Sequence, residues 1–148
     1  MSIPDLNDDG FLPAGIHVCS LEDIQERFGG TPHGGHRWGL FTKLVDYIQE
    51  VRTTGKVTGL MIDGSFVTRK PEPNDIDLVL ILAHSHDYSV ELRPFEYNLL
   101  SRRRVARRYA FDLLVAREGS PELHEYAEFF QQVRGETHRR KGILKVQL

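Results

Sequence analysis

The apolar run from Leu78 to Ala83 is the feature that most restricts what this chain can fold into. With Ile76 just before it, the run is rich in Leu, Val and Ile, a composition typical of a strand covered on both faces. It is the longest apolar run in the sequence, yet it is far too short to cross a bilayer. We therefore predict a buried strand over residues 75–83 and no contact with a membrane.

Shorter apolar segments predict the elements around this strand. The strand patterns lie at 57–62, 111–115 and, at the end of the chain, 142–148. The helix patterns run from the cap at Ser20 to Gly29-Gly30 and over 37–53, 95–109 and 121–133. Residues 1–19 are expected to be irregular. These patterns together predict an α/β (or α+β) fold, a small mixed β-sheet with helices packed on it.

Length and composition point to one domain. The chain has 148 residues, with no repeat and no linker that would divide it. The single cysteine, Cys19, excludes an intramolecular disulfide and a cysteine-based zinc site. The first residues carry neither the basic nor the apolar stretch of a secretory signal. We predict a single domain over 1–148 in a reducing, cytoplasmic setting.

The net charge of −2 hides an uneven distribution. Residues 1–50 carry three basic and eight acidic side chains, whereas residues 101–148 carry eleven basic and six acidic ones. On a helical wheel, one side of the densest basic segment holds Arg103, Arg104, Arg107 and Arg108, and the other side holds Leu99, Val105, Ala106 and Tyr109. A solvated helix surface and an RNA-contacting surface are both compatible with this pattern.

Three aspartates flank or enter the predicted strands. Asp75 and Asp77 are two residues apart, so they project from the same face of the strand that begins there. Asp112 lies within the apolar strand 111–115 and would join them if the two strands were neighbours. Because adjacent carboxylates repel, a divalent cation is a natural partner for them. Two Mg²⁺ ions would use such oxygen ligands during attack on a phosphate.

A Gly64-Ser65 turn precedes this acidic segment. Glycine allows close approach of a ligand to the backbone, and the N–H groups of the following helical turn can bind a phosphate. Arg69 and Lys70 add positive charge to the same loop. The sequence thus predicts a phosphate-binding turn beside a carboxylate site.

Gly-Ser, nine intervening residues, Asp-Ile-Asp before an apolar strand, and a later strand aspartate together resemble the polymerase-β-like nucleotidyltransferase superfamily. The similarity is to its minimal nucleotidyltransferases, which are often encoded in toxin–antitoxin pairs, and it covers roughly residues 57–115. It implies the nucleotidyltransferase fold, with Gly64 and Ser65 binding the triphosphate and Asp75, Asp77 and Asp112 binding magnesium. The chain departs from the family pattern after Gly-Ser, where Phe66-Val67-Thr68 replace the usual small residues.

The resemblance implies Mg²⁺-dependent transfer of a nucleoside monophosphate from a nucleoside triphosphate to a hydroxyl acceptor, with release of pyrophosphate. RNA, tRNA or a protein side chain could supply that hydroxyl, and the arginines of 102–108 favour RNA. One alternative is a non-catalytic partner, such as an antitoxin-like component of a toxin–antitoxin pair. Another is a metal-dependent phosphohydrolase or nuclease that uses the same carboxylates. The sequence leaves the nucleotide and the oligomeric state open.

Overall fold

A computed structural model describes residues 3–148, apart from the side chain of Thr137. Met1 and Ser2, the first residues of the predicted domain, lie outside the described part. The strands are β1 (Gly15–Val18), β2 (Val57–Asp63), β3 (Asp77–Leu82), β4 (Asp112–Arg117), β5 (Gln132–Val133), β6 (Glu136–Arg140) and β7 (Gly142–Gln147). The α-helices are α1 (Leu21–Phe28), α2 (His36–Arg52), α3 (Pro94–Leu100), α4 (Arg102–Tyr109) and α5 (Pro121–Phe130).

The apolar run forms β3, an interior strand of a five-stranded sheet with the order β1-β7-β2-β3-β4. β2 is antiparallel to both β3 and β7, whereas β4 is parallel to β3 and β1 is parallel to β7. The separate pair β5–β6 forms a short antiparallel ribbon. The prediction of a small mixed sheet with helices packed on it is confirmed.

The sheet buries side chains on both faces, as the composition of β3 requires. Leu78, Leu80 and Leu82 belong to the larger apolar cluster, which also includes residues of α1, α2, α3 and α4. The alternate residues Val79 and Ile81 belong to a smaller cluster with Ala127 and Phe130. One face of β3 therefore packs under four helices and the other under α5.

Several predicted elements differ from those in the structure. The helix predicted over 95–109 is two helices, because Ser101 has an extended backbone and its hydroxyl caps α4 at the Arg104 N–H. α5 ends at Phe130 rather than at 133, and residues 132–133 instead form β5. The expectation that residues 1–19 are irregular is wrong for Gly15–Val18. That strand forms by pairing with β7, far along the chain.

Helix length and hydropathy agree with the apolar-run argument. Across residues 3–148, the structure contains no helix with the length and apolar character needed to span a bilayer.

Candidate active site

Three aspartates lie in register across three neighbouring strands. Asp63, the last residue of β2, pairs with Asp77, the first residue of β3. Asp77 in turn pairs with Asp112, the first residue of β4. Directly paired residues point to the same face of a sheet, so these carboxylates form a row at one end of it. A shared site for Asp77 and Asp112 requires β3 and β4 to be adjacent, and they are.

This aspartate row (Asp63, Asp77 and Asp112) shares a sheet face with the smaller apolar cluster. Asp77 points to the same face of β3 as Val79 and Ile81, because the three are spaced two residues apart. Val79 and Ile81 pack in that cluster with residues of α5. Exposure rises across the row, because Asp63 is buried, Asp77 is half-buried and Asp112 is exposed. The open end, at Asp112, is where a substrate could approach.

Asp75 lies just before β3 and binds the Gly-Ser turn. Its Oδ1 accepts a hydrogen bond from the Ser65 N–H, 3.0 Å away, and another from the Ser65 hydroxyl. The Ser65 Oγ in turn accepts from the N–H groups of Asn74 and Asp75, at 3.0 and 3.2 Å. The Ser65 donors predicted to bind phosphate are therefore engaged by Asp75 in this structure.

Position 64 requires glycine, because the backbone of the segment that carries Asp75 passes too close to leave room for a side chain. Its φ of +94° lies in a region that favours glycine. A Cβ at this position would lie 2.8 Å from the Asp75 carbonyl oxygen and 3.1 Å from the Asp77 N–H nitrogen. After it, residues 65–67 form a single 3₁₀ turn, one residue earlier than the helical turn that the sequence predicts over 66–68. The glycine thus allows the turn to pack against the start of β3.

Negative charge is concentrated around Asp77. Burial, followed by the charges of Asp75, Asp63 and Asp112, raises the pKa of Asp77 to about 6, against the opposing effect of Lys141. Burial also raises the pKa of Asp63, although the Lys141 ammonium works in the opposite direction. At neutral pH the carboxylates of this site therefore repel one another, and a cation would relieve that repulsion.

Two residues of this site were missed from the sequence, Asp63 and Lys141. The Lys141 Nζ lies 2.7 Å from the Asp63 Oδ1, and both side chains are largely buried. Asp63 could have been found, because it ends a predicted strand immediately before Gly64. Lys141 had no local signal, since it reaches the site through the pairing of β7 with β2.

Arg69 and Lys70 lie on the loop after the turn, as predicted, but Arg69 is directed elsewhere. Its guanidinium donates to the carbonyls of Asn7 and Asp8, at 2.9 and 3.3 Å. Lys70 is exposed. Both cations therefore lie near the turn, with Arg69 tied to the N-terminal segment.

A third residue missed from the sequence, Arg37 of α2, holds this loop in place. Its guanidinium donates to the carbonyls of Phe66 and Thr68, each at 2.7 Å, and to that of Lys70. The same group lies over the Phe66 ring, 5.7 Å from the centroid. Because these acceptors are backbone carbonyls, no sequence motif marks them. Arg37 thus fixes the path of the loop that follows Gly64-Ser65.

The donor chemistry of the site fits magnesium, which prefers carboxylate oxygens. Within residues 3–148, however, no three His, Cys, Asp or Glu side chains are gathered closely enough to hold a metal ion. Asp75 is bound to Ser65, and Asp112 lies 3.5 Å from the Arg102 guanidinium. The site therefore has the ligands for a cation without being a preformed metal centre.

The arginines of α4 are exposed, in agreement with the predicted basic surface. Val105 and Tyr109 are buried and fix the orientation of this helix on the core. Ala106, predicted on the buried side, is exposed, because Val105 and Tyr109 face the core and Ala106 lies about 100° around the helix from Val105.

Comparisons with known proteins give a family but no activity. Neither the curated proteins nor the solved structures contain a match to this chain. Residues 4–147 match the model of DUF6932, described as a family of unknown function, and the chain belongs to that family.

Proposed function

We propose that this protein is a Mg²⁺-dependent nucleotidyltransferase with the nucleotidyltransferase fold. It would move a nucleoside monophosphate from a nucleoside triphosphate to a hydroxyl acceptor. The observation that carries the proposal is the register of Asp77 with Asp112 on adjacent parallel strands, next to the Gly64-Ser65 turn. The same arrangement of a Gly-Ser turn and three aspartates carries the resemblance noted in the sequence.

In the proposed reaction, the acceptor oxygen forms a bond to the α-phosphorus and the bond from that phosphorus to the β-phosphate oxygen breaks. Pyrophosphate leaves, and the acceptor loses its hydroxyl proton. Asp112 is the best placed base, because its exposed carboxylate can meet an incoming hydroxyl and accept that proton. Magnesium held by Asp75, Asp77 and Asp112 would neutralise the charge of the triphosphate.

The Gly-Ser turn would contribute binding rather than proton transfer. The Ser65 N–H and hydroxyl now donate to Asp75 and would be offered to the triphosphate when Asp75 turns to a cation. Lys70 supplies an exposed ammonium in the same loop. Lys141 keeps Asp63 paired, so that the buried end of the row carries less charge than the open end.

The test is transfer of label from each of the four [α-³²P]NTPs to macromolecules of a cell extract in the presence of Mg²⁺. The wild-type protein should label an acceptor with the α-phosphate and not with the γ-phosphate. Asp77→Asn and Asp112→Asn should each reduce transfer about a hundredfold or more. Glu26→Gln, a matched change of an exposed carboxylate on α1 that is not part of the site, should leave transfer intact. Release of inorganic phosphate or cleaved nucleic acid instead would identify a hydrolase and end the proposal.

A non-catalytic partner role is the second candidate, and one observation favours it. The Ser65 donors and the Asp75 carboxylate satisfy each other, and the described carboxylates are not gathered around a metal position. For such a protein, no NTP would label any acceptor. Asp75→Asn separates the two roles, because it should abolish transfer by an enzyme while leaving binding of a partner protein unchanged.

A further inference from the structure

One continuous basic and aromatic segment of the surface is not used by the proposed chemistry. It comprises the residue that caps α3, α3 itself and the outer side of α4. We refer to it as the arginine–aromatic surface, and its members are Arg93, Phe95, Tyr97, Arg102, Arg103, Arg104 and Arg107.

Every exposed charge between residues 93 and 108 is positive. The only carboxylate in that range, Glu96, is 2% exposed and pairs with Arg93 and Lys56. Within residues 3–148, the side chains of Arg103 and Arg107 make no ion pair or hydrogen bond. Such a surface attracts a polyanion and repels another basic surface.

Two large aromatic rings lie exposed among these cations. Tyr97 and Phe95 are 48% and 42% exposed. The Arg104 guanidinium lies 5.0 Å from the centre of the Tyr97 ring, and that of Arg93 lies 5.0 Å from the centre of the Phe95 ring. Exposed rings beside guanidinium groups offer stacking positions for unpaired bases, with cations at hand for the phosphates.

This combination favours a single strand over other polyanions. In a duplex the bases are stacked on each other, so a duplex would use the arginines and leave Tyr97 and Phe95 unused. An acidic peptide would likewise pair with the arginines but would have no ring to stack. The exposed rings are therefore the feature that selects the partner.

The surface also reaches the candidate active site. Arg102 begins α4, and its guanidinium lies 3.5 Å from Asp112, the most exposed aspartate of the row. A strand bound along α4 would thus pass beside the carboxylate that is placed to receive a hydroxyl.

We propose that the arginine–aromatic surface binds single-stranded RNA and brings its end to Asp112. The binding itself is independent of the chemistry, whereas the delivery of the end to Asp112 rests on the proposed function. RNA is the acceptor that this geometry favours over a protein side chain, because unpaired bases and phosphates match the rings and the cations together.

The experiment measures binding without nucleotide or Mg²⁺, so that its outcome does not depend on transfer. The probe is a fluorescein-labelled 12-nucleotide RNA of mixed sequence, followed by anisotropy as single strand and as duplex. The single strand should bind more tightly than the duplex, and its affinity should fall with salt. Tyr97→Ala should weaken binding about 5- to 150-fold, the effect of losing one stacked base. Arg107→Ala should lower the slope of log K against log salt by about 0.7.

Matched controls lie on the opposite side of the sheet. Phe129 of α5 is 64% exposed, and Arg134 lies in the turn between β5 and β6. Phe129→Ala and Arg134→Ala should leave binding within about twofold of the wild type. Thermal unfolding of each variant shows whether it is folded, and Tyr97→Phe, which keeps the ring, should restore binding.

Three outcomes would overturn the assignment. These are equal affinity for single strand and duplex, equal loss in Tyr97→Ala and Phe129→Ala, and tighter binding of an oligoglutamate or a DNA strand of the same length. If the RNA binds as expected and no label is transferred to any RNA, the RNA-binding role of the arginine–aromatic surface is supported and the proposed nucleotidyl transfer is contradicted. If the protein labels RNA and its Tyr97→Ala variant binds RNA normally, nucleotidyl transfer is supported and the role of the surface is contradicted.

Discussion

Asp77 is the residue at which the chemistry of the candidate site and the stability of the protein come into conflict. Its pKa rises to about 6 because burial and three neighbouring carboxylates disfavour the charged form. A carboxyl with a raised pKa in the folded state stabilises the fold fully below its ordinary pKa of 3.8 and loses that contribution as the pH rises through about 6. At neutral pH its charge therefore destabilises the metal-free protein.

We predict that Asp77→Asn raises the stability of the metal-free protein. The amide keeps the size of the side chain and removes the charge, so the free energy of unfolding at pH 7.5 in EDTA should rise by about 1–2 kcal/mol, after allowance for screening by solvent. At pH 4 the variant and the wild type should be nearly equal. Urea unfolding at the two pH values measures both differences.

Asp87 provides a matched control of opposite sign. Hydrogen bonds from the Ser89 hydroxyl and N–H, at 2.6 and 2.9 Å, lower the pKa of Asp87. Its charge is thus stabilising above its ordinary pKa, and Asp87→Asn should lower stability at pH 7.5. If Asp77→Asn also lowers the free energy of unfolding at pH 7.5, the Asp77 carboxylate makes a net favourable contribution to stability, and the explanation by charge repulsion is wrong.

At the scale of elements, β7 joins distant parts of the chain. It pairs with β1 on one side and β2 on the other, and its N-terminal residue Gly142 donates its N–H to the Leu12 carbonyl at 2.9 Å. A Cβ at Gly142 would lie 2.0 Å from the Pro13 carbonyl oxygen, so backbone would have to move. The close approach of residues 12–13 to β7 depends on this glycine.

We predict that Gly142→Ala lowers the free energy of unfolding by about 1–3 kcal/mol, the range for overpacking a well-packed position. Gly39→Ala is the matched control, because Gly39 lies within α2 and a Cβ there would meet no heavy atom within 4 Å. It should raise stability by about 0.5–1 kcal/mol, because alanine favours a helix. Chemical denaturation of both variants tests the pair, and equal effects would contradict the close approach at β7.

Elements with a strong local pattern could be predicted from the sequence, whereas those formed by distant pairing could not. The apolar run of β3 and the spacing of α2 predicted both elements to within about two residues. β1 is four residues long and includes the exposed Ile16, so its existence depends on β7. The break at Ser101 was missed because apolar residues occur on both sides of it and were assigned to one helix. Only the extended backbone of Ser101 separates α3 from α4.

The residues of the candidate site likewise fall into those with a local sequence signal and those brought together only by the fold. Asp75, Asp77 and Asp112 could be found because a carboxylate at the start of an apolar strand is unusual in itself. The hydrogen bond between Ser65 and Asp75 was missed. The sequence predicts a phosphate-binding turn at Ser65 and a metal site at Asp75, so each was expected to bind a ligand and not the other residue. Lys141 and Arg37 act on carboxylate and carbonyl groups that become their neighbours only after the sheet and α2 are assembled.

At the scale of the whole molecule, the reactivity of the Cys19 thiol can be used to measure whether the domain unfolds in a single cooperative step. Cys19 follows β1, is 7% exposed and donates its N–H to the Lys145 carbonyl of β7 at 2.9 Å. Burial and, to a smaller extent, the charge of Asp23 raise the pKa of its thiol to about 11. Since the thiolate is the reactive form, the folded protein should react slowly with thiol reagents at pH 8.

We predict that the reaction of Cys19 with Ellman's reagent becomes fast only when the whole domain unfolds. Leaving the apolar core exposes the thiol and returns its pKa to the ordinary range, so both barriers to reaction disappear together. The free energy of unfolding obtained from the labelling rate in increasing urea should therefore equal that from far-ultraviolet circular dichroism. The fully unfolded chain, labelled in concentrated urea, gives the reference rate. Labelling that precedes the loss of helix would show instead that β1 separates from β7 on its own, since Cys19 is attached to that edge of the sheet.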